Sequence, residues 1–153
     1  MAGEKEFAAS SSLVGSYKLV TFTQKVIESG EVSYGIFGKH PGGYINYAPD
    51  GRMLVLMVAD KNERPALASS ALPTDEQAAG LFRTMLAYAG AYEFDGRTVS
   101  HNIDVSWYEG WVGTTQVREV QKDGDKLIYT TPPYPSAEDG RMSVATIVWQ
   151  KVD

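Results

Sequence analysis

Between Arg97 and Trp107 the chain alternates with a period of two. Val99, His101, Ile103, Val105 and Trp107 fall on one face, and Thr98, Ser100, Asn102, Asp104 and Ser106 on the other. This is the pattern of a β-strand with one buried face, because successive strand side chains point to opposite sides. β-rich runs recur at Leu13–Val26, Tyr44–Ala48, Arg52–Ala59, Ala91–Phe94, Thr114–Gln121, Lys126–Thr131 and Met142–Val152. Asp50-Gly51, Asp95-Gly96, Asp123-Gly124 and Asp139-Gly140 stand between neighbouring runs, and Asp-Gly between two such runs signals a tight hairpin. About eight short strands joined mostly by hairpins predict an antiparallel sandwich or barrel. Closure into a barrel removes the exposed edges of a meander and encloses room for one small ligand.

One segment breaks the period. Thr74-Asp75-Glu76-Gln77 reads as a capping box, with Thr74 as N-cap and Gln77 three residues later. Ala78, Leu81, Phe82, Met85, Leu86 and Ala89 then follow at helical spacing, with Gly90 as the stop. The spacing predicts one inserted helix whose apolar stripe covers an open end or a flank of the sheet.

The size of the chain, 153 residues, fits one domain. We expect a flexible tail over residues 1–12 and the barrel over 13–153, with no internal repeat or linker. Zero cysteines exclude disulfides, thiolate catalysis and Cys-based zinc sites. A net charge of -5 without a basic stripe argues against a nucleic-acid partner. No apolar run approaches the roughly 20 residues of a membrane span, and the polar N-terminus lacks the apolar core of a secretory signal. The expectation is a soluble, cytoplasmic protein, with a homodimer as a possible assembly.

The residues resemble the lipocalin-like domain family, a group of calycin-type barrels. The resemblance runs from Leu13-Val14-Gly15-Ser16-Tyr17-Lys18-Leu19-Val20 through Pro41-Gly42-Gly43-Tyr44-Ile45 and Asp50-Gly51-Arg52-Met53. It continues through Ala87-Tyr88-Ala89-Gly90-Ala91-Tyr92, the His101 strand and Gly113-Thr114-Thr115-Gln116-Val117-Arg118, and ends at Trp149-Gln150-Lys151. Tyr17 stands where many calycins carry Trp, and Lys151 where Arg is common. The resemblance implies a single antiparallel calycin-like β-barrel with a lumen, and implies this more firmly than any reaction.

His101 is the one ionisable group on the apolar face of its strand. It is either a core histidine satisfied by its neighbours or the floor of a ligand site. Imidazole titrates near neutral pH when unperturbed, which suits proton transfer. A metal role is not expected, since only His40 could join it and no His-x-His or His-x-x-x-His spacing occurs. Gln116, Arg118 and Val120 share one face of their strand and Val117 and Glu119 the other, and the pattern leaves open which is inward. An inward Arg118 needs an anion, such as a ligand carboxylate or an enolate oxygen. Tyr44, Tyr47, Tyr92, Trp107, Trp111, Tyr129 and Trp149 either fill the barrel or line a cavity in it. Met53, with Met57 and Met85, could form an adaptable wall.

Together with these residues, the resemblance implies a cofactor-independent cyclase or isomerase for a small, largely apolar polyketide- or terpenoid-like molecule. His101 would move a proton, Arg118 would steady negative charge, and the aromatics would fold the substrate. The alternatives are a non-catalytic carrier for a small hydrophobic ligand and an interaction module with a packed, empty barrel.

Overall fold

The computed structural model describes residues 12–152. The tail expected over residues 1–12 lies outside them, apart from Ser12. The strands are β1 (Gly15–Val26), β2 (Val32–Ser33), β3 (Gly42–Tyr47), β4 (Arg52–Val58), β5 (Met85–Phe94), β6 (Thr98–Ser106), β7 (Thr115–Asp123), β8 (Lys126–Thr130), β9 (Tyr134–Pro135) and β10 (Met142–Val152). Helix α1 (Asp75–Arg83) is inserted between β4 and β5. All strand pairings are antiparallel, in the order β2-β1-β3-β4-β5-β6-β7-β8-β10-β9, and β1 also pairs with β10. That last pairing closes an eight-stranded barrel, with the two-residue strands β2 and β9 added at its margin. Among the described residues no helix is long and apolar enough to cross a membrane.

Alternation selects the inward face almost everywhere. On β3 it buries Ile45 and Tyr47, and on β4 Met53, Val55 and Met57. Two register shifts change the parity. In β1 the shift between Leu19 and Thr21 carries the buried positions from Tyr17 and Leu19 to Phe22, Gln24 and Val26. On β6, Ala89 of β5 pairs with Val105 and Gly90 with Ile103, so Asp104 is the extra residue of a bulge. The uninterrupted alternation expected through Trp107 therefore stops at Ile103. Asp104 and Val105 are both exposed, and Val105 points outward at 65% exposure.

The helix is also shorter than its spacing predicts. It ends at Arg83, and Met85, Leu86, Ala89 and Gly90 belong to β5. Apolar spacing over Leu86–Gly90 suits either period, and pairing decides it. Met85–Ala91 fills the ladder beside β4, from Val58↔Met85 to Arg52↔Ala91. The Arg64 guanidinium donates to the carbonyls of Leu81 and Thr84 at 3.3 and 2.8 Å, which satisfies the end of the helix. At the other end the capping box forms: Gln77 N–H donates to Thr74 Oγ1 at 3.2 Å, and Thr74 N–H to Gln77 Oε1 at 2.9 Å. No residue of α1 is buried, so its stability rests heavily on its caps. Thr74→Ala should cost about 1 kcal/mol of local helix stability. Faster amide hydrogen exchange confined to residues 75–83 would show this, and unchanged exchange there would contradict it.

The two ends of the barrel differ. At the end holding the start of β1 and the end of β3, Leu13, Tyr17, Tyr47 and Met53 pack together, fully buried, with Tyr92 partly buried against them. The Tyr17 hydroxyl donates to Leu13 O and that of Tyr92 to Ala48 O, both at 3.0 Å. Ring centres of Tyr47 and Tyr92 lie 4.7 Å apart. This end is sealed. The opposite end carries α1 and the connections after β6 and β8, and a cavity opens there.

Candidate functional site

The cavity measures about 750 Å³ and its lining is mainly apolar. Strand residues Ile45, Val55, Met57, Ile147 and Trp149 form its walls. Its mouth is framed by Phe82 and Arg83 of α1, by Trp107 and Trp111, and by Pro132, Pro133 and Tyr134. The rim aromatics hold one another. Trp107 and Trp111 meet edge to face at 5.3 Å, Phe82 and Trp107 lie 5.6 Å apart, and the Trp107 indole N–H donates to Phe82 O at 3.1 Å. The helix is thereby pinned to the mouth.

His101 lies in the wall, 2% exposed. Its Nδ1 is hydrogen-bonded to the Tyr88 hydroxyl and its Nε2 to the Tyr47 hydroxyl, each at 2.6 Å. The Tyr47 hydroxyl is in turn bonded to that of Tyr129 at 2.6 Å. The ring is satisfied by its neighbours, and the residue also lines the lumen. Its protonation differs from expectation. Burial, reinforced by the Arg118 charge, pushes its pKa down to about 3, so the ring is neutral near pH 7 rather than poised to titrate. Burial pushes the Tyr88 phenol up to about 12 and raises those of Tyr47 and Tyr129 well above their ordinary value.

Arg118 also lines the cavity, since β7 turns Gln116, Arg118 and Val120 inward and leaves Val117 and Glu119 exposed. Its guanidinium donates to Val117 O at 2.8 Å, and among the described residues it forms no ion pair. The Tyr134 hydroxyl donates to Gln24 Oε1 at 2.7 Å, and the Gln24 amide donates to Ser136 Oγ at 3.1 Å. Among the described residues no group of three or more His, Cys, Asp or Glu is placed to hold a metal ion.

Of the candidates named from sequence, the cavity brings together His101, Arg118, Trp107, Trp111, Tyr129 and Trp149. Tyr47 stands behind His101 and contributes through it. Met53 and Tyr92 belong to the sealed end, below the lumen. Tyr44 lies on the outer face, 53% exposed, because alternation on β3 sends its neighbour Ile45 inward. Tyr88, Gln24 and Tyr134 are among the lumen residues that the sequence reading missed. The alternation of Leu86, Tyr88, Gly90 and Tyr92 could have revealed Tyr88, but reading the segment as helix as far as Gly90 hid it.

A closed eight-stranded barrel, sealed at one end and hollow at the other, defines a class of small proteins built around an internal chamber. Within that class the chain belongs to the lipocalin-like domain family, whose profile matches residues 14–152. It is also similar to the 4'-hydroxy-3'-methoxypropiophenone carrier protein of Aspergillus oryzae. The two are 34% identical over an alignment of 87 residues that covers 52% of this chain and 78% of that protein.

Proposed function

We propose that this barrel is a binding protein for a small, largely apolar, natural-product-like molecule, which it encloses in the lumen between His101, Arg118 and the aromatic rim. The observation that carries this reading is the chamber itself. About 750 Å³ of mainly apolar space with a few oriented polar groups is the usual make-up of a small-ligand site. The relative named as a carrier of an aryl ketone supports binding without chemistry.

Trp107 and Trp111 at the mouth supply the test. Titration with 4'-hydroxy-3'-methoxypropiophenone, or with the anionic amphiphilic dye 1-anilinonaphthalene-8-sulfonate, should quench tryptophan fluorescence saturably, and native mass spectrometry should show one bound molecule. If neither compound quenches and neither adds mass, the barrel is not a binding chamber of this kind.

One observation favours a second reading, cofactor-independent isomerisation or cyclisation. His101 is linked to Tyr88 and, through Tyr47, to Tyr129, and both outer tyrosines line the cavity. A proton could enter such a chain at one end and leave at the other, with Arg118 steadying an enolate. His101→Ala separates the two. A carrier loses affinity alone, whereas an enzyme loses turnover with binding largely kept.

A further inference from the structure

We propose that the lumen selects an apolar molecule bearing one acidic oxygen, bound as its anion between the Arg118 guanidinium and the Tyr88 hydroxyl. The inference rests on the binding role above and specifies its ligand.

The first ground is the charge of the wall. The chain carries 19 Asp and Glu against 14 Lys and Arg, yet the charged residues lining the cavity are Arg83 and Arg118 alone among the described residues. An acidic protein has kept every described carboxylate out of its chamber. Arg118 meets one carbonyl and no carboxylate, so most of its donors are left for a guest. A guanidinium at an apolar wall is matched best by an anionic oxygen.

The second ground is a proton count. Tyr88, His101, Tyr47 and Tyr129 form one chain through three hydrogen bonds. With the imidazole neutral, its four members carry four protons, one on each phenol and one on the ring. Three bonds use three protons, so one donor is always left over at an end of the chain. If Nδ1 carries the ring proton, it donates to the Tyr88 oxygen. Tyr47 then donates to Nε2, Tyr129 donates to Tyr47, and the Tyr88 proton is spare. If Nε2 carries it, every bond reverses and the spare proton sits on Tyr129. Either end faces the lumen, where an unpaired donor is costly unless it finds an acceptor.

The third ground decides between the ends. Trp149 packs on Tyr129 with ring centres 6.1 Å apart, and its buried indole N–H makes no hydrogen bond. A spare Tyr129 proton would bring a second unbonded donor into that corner. The opposite orientation leaves the Tyr129 oxygen as an acceptor there and presents the spare proton at Tyr88. A guest oxygen accepting from Tyr88 locks all three bonds and fixes His101 as the Nδ1–H tautomer. Arg118 and the Tyr88 end of the chain thus both offer donors, and the complementary guest is an acceptor with negative charge.

The test uses the intact wild-type protein and two matched probe pairs in calorimetric titrations near neutral pH: 2-naphthoate against 2-naphthamide, and 4-nitrophenol against 4-nitroanisole. Each acid should bind at least about tenfold more tightly than its neutral partner. Bound 4-nitrophenol should show the phenolate absorption at a pH where the free compound is mostly protonated, its proton passing to solvent. Arg118→Gln should cut the acid-to-neutral affinity ratio of each pair to about threefold or less. In histidine-labelled protein, nitrogen NMR should report His101 as Nδ1–H once 2-naphthoate is bound. A preference confined to one pair identifies the oxygen as carboxylate or phenolate. Measurable but equal binding of acids and neutral probes overturns the proposal and leaves the binding role standing. Binding of none of the four overturns both. An Nε2–H tautomer in the naphthoate complex overturns the placement at Tyr88.

Discussion

Gly90→Ala should collapse the stability of the barrel. A Cβ at that position would overlap Asn102 O and stand 2.8 Å from its carbonyl carbon and 3.0 Å from Ile103 Cα. These are backbone atoms of the paired strand and cannot turn aside as a side chain would. The close approach belongs to the bulge at Asp104, where β5 and β6 shift register and press together. Relief requires the ladder to part beside Tyr88 and His101, so the hydrogen bond between them goes as well. We expect a loss of about 3 kcal/mol or more, at the upper end for overpacking. Gly42→Ala is the control: nothing lies within 4 Å of its Cβ position and its φ is not positive. It should change stability by no more than about 0.5 kcal/mol. Urea unfolding followed by circular dichroism measures both, and equal midpoints for the two variants would show that β5 and β6 do not meet this closely.

The second large effect is loss of stability in weak acid. His101 titrates at about 3 in the folded protein against 6.5 in an unperturbed chain. Above pH 6.5 it is neutral in both states and its contribution is fully present. As pH falls from 6.5 toward 3, the unfolded chain takes up a proton that the folded barrel refuses. Stability then drops by about 1.4 kcal/mol per pH unit over that window, and this contribution levels off below it. The upper part of the window is the informative one, because most carboxylates titrate below it. Unfolding free energies measured between about pH 7 and pH 5 should show the slope in the wild type and a much flatter line in His101→Gln. The variant starts from a lower stability, so the slope rather than the absolute value is the readout. Equal slopes would mean that His101 takes up its proton alike in the folded and the unfolded chain.

The barrel was legible because its signals are local. Asp50-Gly51 and Asp123-Gly124 mark hairpins by backbone chemistry that needs no partner, and the period of β4 or β10 reports a buried face directly. The misread parts depend on long-range pairing. Leu86 and Ala89 fit a helix until Ala87 is seen opposite Leu56, and Val105 fits the inner face until Ala89 claims it across the bulge. The site was legible in the same proportion. His101 and Arg118 stood out as polar groups in strands, and the paired tryptophans as bulk near turns. Tyr88 did not, because its role depends on which strand lies beside β5. Nor did the choice of open end, which is set by where α1 and the proline-rich connection fall in three dimensions.

The contrast between the two barrel ends has an evolutionary consequence. Tyr17, Tyr47 and Tyr92 tie one end of the strands together by ring contacts and hydroxyl bonds, and changes there are judged by whether the chain folds. Helix α1, with no buried residue of its own, and the Trp107–Trp111 pair shape the other end, so most changes at the rim leave the folded state largely untouched. Selection can therefore rework the doorway of this chamber while its foundation drifts slowly, and descendants of one barrel can diverge in their guests long before they diverge in shape.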